Sequence, residues 1–312
     1  MQLTASRPLQ NSSKNNMSTI APVRQVLAGR RGGRCRGWTF CLTLGFTWMG
    51  ITIATVQASD LIPDAHLETV LKEVLKQKQI DKPQIEEADL KTIFFLDARG
   101  KEIADLTGLE KCINLAEVRL SKNRIQNLKP LSELKNIQSL DLASNQIGDL
   151  TPLAGLLKLQ YLQLDKNQIA KLEGLEKLEN LRTLSLADNQ VENLLPLGPL
   201  KKLNSLSLDR NQVLDLKPLT ELSRLSSLGL KANRVADLTP LTGLHELRFT
   251  FLEGNPLNDL GPLVDMAQKD ISGEQRFAPY WFLYLDVEPL PATAKPQVEQ
   301  LQKLGVRINR KP

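Results

Sequence analysis

The sequence predicts an α/β solenoid: a curved stack in which short strands form one parallel β-sheet on the concave face, 3₁₀ turns cover the convex face and helices cap both ends. Three observations carry this reading. Asparagine recurs every 22 residues, at Asn123, Asn145, Asn167, Asn189, Asn211, Asn233 and Asn255. Five and three residues ahead of the first six stand apolar pairs, Val118/Leu120, Leu140/Leu142, Leu162/Leu164, Leu184/Leu186, Leu206/Leu208 and Leu228/Leu230, an alternation that turns both side chains to one face of a strand. Behind the asparagine the apolar spacing changes to three, as in Leu150, Leu153, Leu156 and Leu159, the period of a 3₁₀ turn rather than of an α-helix.

Along the chain, residues 1–58 come first, with seven basic residues and no acidic one. The stretch RQVLAGRRGGRCRG precedes an apolar run from Trp38 to Val56, and Val56-Gln57-Ala58 sets small residues ahead of Ser59. These are the three parts of a secretory signal, so the protein is expected to be exported to a periplasm, a cell surface or the medium. An uncleaved anchor is the alternative, since 19 residues can span a bilayer, although five threonines and two glycines dilute the run. A membrane enters the reading only through that alternative.

Residues 59–92 are expected to form a helical N-terminal cap, because Leu67, Val70, Leu71, Val74 and Leu75 fall at helical spacing and Asp64 stands where an N-cap belongs. Repeats then run over 93–262, beginning with a rung from Ile93 that has Lys101 in the asparagine slot. About eight rungs at roughly 4.8 Å each span roughly 40 Å. Pro130, Pro152, Pro196, Pro218, Pro240 and Pro262 stand where a tight turn starts and a missing N–H is tolerated. Residues 263–312 are expected to hold an irregular last repeat and a C-terminal cap. Phe277 occupies the place where the next asparagine falls due, and FLYLDVEPL, from Phe282 to Leu290, matches the unit with Glu288 in the slot. The segment between reads as a helix and loop, and the final stretch as a helix, a glycine stop and a short strand. Thr250 departs from the apolar pattern.

The unit LxxLxLxxNxIxxLxxLxxLxx, with DLxPL at Asp149 to Leu153 and Asp237 to Leu241, resembles the 22-residue class of leucine-rich repeats found in bacterial internalins and in a regulatory subunit of protein phosphatase 1. The resemblance covers roughly residues 61–312. It implies a recognition scaffold and says little of the ligand.

Chemistry finds little foothold. The net charge of +5 belongs to the leader: beyond Ala58 the chain has 33 basic against 35 acidic residues, which removes the support for a nucleic-acid partner. No HExxH, GxSxG, Walker loop or Cys/His cluster is present in the sequence, so no catalytic residue, cofactor or metal is expected. Cys112 stands where every later repeat has leucine and reads as an apolar filler. His66 falls in the cap and His245 in a convex turn.

Binding is the live class. Between the leucines the outward positions read Glu117 and Arg119, then Ser139 and Asp141, Tyr161 and Gln163, then a floor of small residues, and finally Phe249 and Phe251. Phe282 and Tyr284 take the equivalent places in the last rung, so four rings fall on adjacent rungs of one face; they either anchor a ligand or serve as cap core. Three readings follow: an exported module binding a protein or peptide through the concave face, a saccharide platform built on the C-terminal aromatics and reported by Trp281, and an intracellular scaffold like the phosphatase regulator. The asparagines are expected to be architecture, each amide pairing with backbone groups opened by the bend.

Overall fold

The computed structural model describes residues 61–273 and 275–310; the leader expected over 1–58 lies outside them. Among the described residues no helix is long and apolar enough to cross a membrane. Helix α1 (Ala65–Gln77) opens the described chain, with Leu67, Leu71 and Leu75 buried along one side, and a short α2 (Glu87–Leu90) follows. Asp64 does more than cap α1. Its Oδ1 accepts from the N–H groups of His66 and Leu67 at 2.9 and 3.0 Å, while Oδ2 accepts from those of Ala104 and Asp105 at 2.9 and 3.1 Å. One carboxylate thereby fastens the helix to the first turn of the stack.

The sheet has ten strands in chain order, all parallel, where about eight rungs are expected from the repeat. They are β1 (Phe95–Asp97), β2 (Glu117–Arg119), β3 (Ser139–Asp141), β4 (Tyr161–Gln163), β5 (Thr183–Ser185), β6 (Ser205–Ser207), β7 (Ser227–Gly229), β8 (Phe249–Phe251), β9 (Phe282–Tyr284) and β10 (Arg307–Ile308). Partners are 22 residues apart up to β8, and β9 then pairs with β8 at an offset of 33, Phe249 beside Phe282. The extra residues leave the sheet untouched because they form α3 (Gly261–Ser272) on the other side of the rung.

Strands stop after three residues for a backbone reason. Gly100, Lys122, Ser144, Lys166, Asp188, Arg210, Ala232 and Gly254, one per rung, have φ between 52° and 72°, the left-handed region. A side chain there costs about 1 kcal/mol or more. From Lys122 to Ala232 the conformation is held by the residue's own N–H, which donates to a carbonyl of the next rung, as from Ser144 to Asp165 at 2.7 Å.

The asparagine follows, buried or nearly so. Asn145 Oδ1 accepts from the N–H of Ile125 at 3.0 Å, and Nδ2 donates to the carbonyls of Leu120 and Leu142, both at 3.0 Å. Asn123, Asn167, Asn189, Asn211, Asn233 and Asn255 make the same set of contacts, each joining its rung to the one before. In the last rung Glu288 does not fill the slot. It is exposed, and Asn309 reaches back from the far side instead, accepting from Leu285 N–H at 3.0 Å and donating to its carbonyl at 2.9 Å.

Two kinds of turn close the rungs. The proline kind gives 3₁₀ helices at Lys129–Leu131, Thr151–Gly155, Leu195–Leu197, Lys217–Leu219 and Thr239–Leu241, while Pro262 begins α3. In DLxPL the aspartate shapes the turn: Asp149 Oδ1 accepts from Thr151 N–H at 2.9 Å and from its hydroxyl at 2.7 Å. The second kind has glycine in the proline slot, at Gly108 and Gly174, with φ near +97° and +102°. There a glutamate two residues on takes the glycine N–H, Glu110 at 2.9 Å and Glu176 at 2.8 Å. No 3₁₀ helix forms between β4 and β5, so the expectation of one in every repeat fails at Gly174.

A single aliphatic core runs from Ile62 to Ile308. At its far end α3 packs on α4 (Lys295–Lys303), joined by Gln297, which accepts from Leu260 N–H and donates to Asp259. Trp281 is wholly buried here, and its indole N–H donates to Thr250 Oγ1 at 2.9 Å. That bond explains the single polar departure from the strand pattern.

Candidate functional site

The concave face is made of the strand side chains that alternate with the leucines. Register aligns Phe95, Glu117, Ser139, Tyr161, Thr183, Ser205, Ser227, Phe249 and Phe282 in one column, and Asp97, Arg119, Asp141, Gln163, Ser185, Ser207, Gly229, Phe251 and Tyr284 in the next. All eight of the concave residues singled out from the sequence therefore lie in these two columns, though they differ in what they offer.

At the C-terminal end the rings satisfy one another. Phe249 stacks on Phe282 with centroids 5.3 Å apart, and Phe251 on Tyr284 at 4.7 Å. The Arg307 guanidinium lies 4.9 Å from the centroid of Phe282, which is left 8% exposed, and the Tyr284 hydroxyl donates to the carbonyl of Arg310 at 2.7 Å. These rings close the end of the sheet. A saccharide platform needs free ring faces, and its expected reporter Trp281 is interior, so the geometry offers no support for a glycan.

The N-terminal half differs. Tyr161 is 49% exposed, and Phe95, which heads the same column, is 45% exposed beside Phe94 at 57%. Arg119 places its guanidinium 5.3 Å from the Phe95 ring and pairs with Glu117 at 2.7 Å. Gln163 is exposed next to Tyr161. Within the two columns accessible aromatic surface therefore gathers around β1 to β4, opposite to the end the sequence composition emphasised, while exposed Tyr280 stands outside them. Phe95 was findable: it stands six residues ahead of Lys101, the offset Tyr161 has from Asn167.

Charge on the face is locally neutralised. Beside Asp97, the hydrogen-bonded Arg99 guanidinium holds that carboxyl below the usual range, and Arg210 does the same for Asp188. Asp209 goes the other way. Burial pushes its pKa up, and the charge of Glu253 adds to this against the pull of the Lys231 N–H and Arg210. Asp165 accepts from Ser185 Oγ at 2.6 Å and from the Ala187 N–H at 2.7 Å. The middle of the floor is thus a hydrogen-bonded surface of small side chains.

The cysteine and the histidines lie elsewhere. Cys112 is fully buried, and burial, with a smaller contribution from Glu110, pushes its thiol up to about 12, so it is not a thiolate at neutral pH. His66 is exposed at the start of α1, and exposed His245 meets Phe277 edge-on at 6.4 Å.

Known proteins can now be set beside this geometry. A family model of leucine-rich repeats in two copies matches residues 113–155, 135–177 and 157–202. Among solved structures, an internalin C2 from Listeria monocytogenes is 33% identical with a TM-score of 0.62, the match covering 65% of this chain and 90% of that one. A leucine-rich-repeat protein from Leptospira interrogans is 25% identical with a TM-score of 0.62, over 72% of this chain and 62% of its own. An internalin F from Listeria monocytogenes, 23% identical with a TM-score of 0.51 over 83% of this chain and 95% of that one, shares the fold. Among curated proteins no sequence matches significantly. With repeat, register, asparagine ladder and these likenesses in agreement, the chain belongs to the leucine-rich-repeat family and is related to the internalins.

Proposed function

We propose that the protein is a non-catalytic, exported recognition module that binds a protein or peptide partner through its concave face, centred on β1 to β4. One observation carries the reading: Phe95 and Tyr161 stand half-exposed in a single column, with Glu117 and Arg119 between them in the strand order. Aromatic and arginine side chains are enriched where protein partners are anchored, the rings because they bury much area for little lost freedom and arginine because its fork makes several hydrogen bonds at once. Export rests on the pattern of residues 1–58. The phosphatase-regulator reading draws on repeat class alone.

The test is capture of partners from native material by the purified chain beginning at Ser59, compared with a Phe95→Ser/Tyr161→Ser variant. Both positions are exposed, so the variant is expected to keep its melting temperature and to lose its specific partners. A folded variant that captures the same partners as fully as the parent overturns the reading.

A further inference from the structure

The sheet has a second edge, ahead of the strands, and there the chain forms an open depression of about 690 Å³ over the last third of the stack. Asn204, Arg224, Ser226, Glu246, Arg248 and Arg276 line it. Among the described residues that line it, three guanidiniums face one carboxylate, in a chain that beyond Ala58 has 33 basic against 35 acidic residues. The concentration is therefore local and does not follow from overall charge. Arg276 is engaged with Glu246 at 2.6 Å. Arg224 and Arg248 are exposed, and neither guanidinium has an acidic partner among the described residues.

Their backbones, by contrast, are fixed. Arg248 N–H donates to Ser226 and its carbonyl accepts from Phe282, at 2.8 and 2.7 Å, which holds it between β7 and β9. The Arg224 carbonyl accepts from Asn204 Nδ2 at 3.1 Å, and Ser226 Oγ donates to Asn204 Oδ1 at 3.1 Å. The wall is thus occupied with itself and presents two uncommitted guanidiniums on a pinned frame. Guanidinium forks match planar oxyanions in pairs of hydrogen bonds, and a fixed backbone lowers the ordering cost of making them.

From this we propose that the depression receives an acidic segment of the protein partner, a run of Asp or Glu side chains whose carboxylates meet Arg224 and Arg248. Charge complementarity selects the occupant. The two arginines belong to successive rungs, roughly 4.8 Å apart in rise, so they suit carboxylates carried along a chain better than one compact ion. The space is also in the range that holds a ligand of many atoms. The proposal rests on the concave-face reading, which it deepens by stating the chemistry of a second contact on the same partner.

Fluorescein-labelled hexaglutamate, followed by anisotropy at low salt and again near 0.15 M salt, tests it on the chain beginning at Ser59. Saturable binding is expected, weakened about tenfold or more by Arg224→Gln/Arg248→Gln. Lys122→Gln/Lys166→Gln removes the same charge at the opposite edge of the sheet and is expected to leave binding within about twofold. Equal loss in both double variants means diffuse attraction and overturns the site, as does an absence of binding to the parent. Full displacement by inorganic phosphate at the concentration of hexaglutamate overturns the peptide assignment. The Phe95→Ser/Tyr161→Ser variant separates the two readings, because it is expected to bind hexaglutamate normally whether or not it still captures partners.

Discussion

Asn145 serves three backbone groups that strand pairing cannot reach: the N–H of Ile125 and the carbonyls of Leu120 and Leu142. Alanine in its place leaves the Ile125 N–H unpaired in a dry interior and strips one of two amide donors from each carbonyl, which keep Asn123 and Asn167; it is expected to cost about 1–3 kcal/mol in urea denaturation. Asn145→Asp is expected to be worse near neutral pH, since a carboxylate oxygen would then oppose two carbonyl oxygens. Such a carboxyl has a folded pKa raised above its unfolded value of about 3.9. Its stability is present below that unfolded value and is lost as pH rises through the folded one. The aspartate variant should therefore recover relative to Asn145→Ala between about pH 7 and about pH 4; a constant gap rules this account out. The ladder was legible because each amide meets backbone 20 and 25 residues away, close on either side of the 22-residue period. Thr250 was legible only as an exception. Its partner Trp281 stands 31 residues on, in a segment with no period to count by.

Among the elements, the turn at Gly174 shows where the repeat consensus misleads. The proline slot suggests that Gly174→Pro would regularise the rung, as in its neighbours. The backbone there has φ near +102°, and even a Cβ would stand 2.5 Å from the Leu150 carbonyl oxygen. Gly174→Ala is expected to cost about 2–4 kcal/mol through left-handed strain and overpacking together, and Gly174→Pro more. Thermal melting of both variants beside Gly148→Ala, where the nearest atom is 3.7 Å from the added carbon, checks the claim. A proline variant as stable as the parent would mean that the glycine turn converts freely to the proline kind. The strands and proline turns of the repeats followed from spacing, whereas the short α2 did not. What the period could not supply was the alternative turn, which is set by Glu176 closing on the Gly174 N–H.

For the molecule as a whole, the question is how the stack is held at its start. Burial raises the Asp64 pKa, but the N–H donors of Ala104, Asp105, Leu67 and His66 outweigh it and hold the carboxyl below its ordinary value. Its contribution is fully present above the unfolded value of about 3.9 and is lost as pH falls through the depressed folded one. Melting temperatures taken from about pH 6 to about pH 3 should fall more steeply for the parent than for Asp64→Asn, whose amide has no charge to lose; parallel slopes would show that the clasp is not ionic. The proposed binding face was half legible. Its two columns follow from alternation, whereas which rings are free depends on Arg307 and Arg310 folding back from the far end. One consequence of the asparagine ladder concerns size. Each of its bonds reaches only the neighbouring rung, so the stack behaves as a one-dimensional crystal with no record of its own length. Helix α1 with Asp64 at one end and Asn309 at the other are its terminators. Gain or loss of one 22-residue unit is then the least disruptive change of size open to this chain, and it would move the exposed rings of the first rungs and the arginine depression apart or together by a single step.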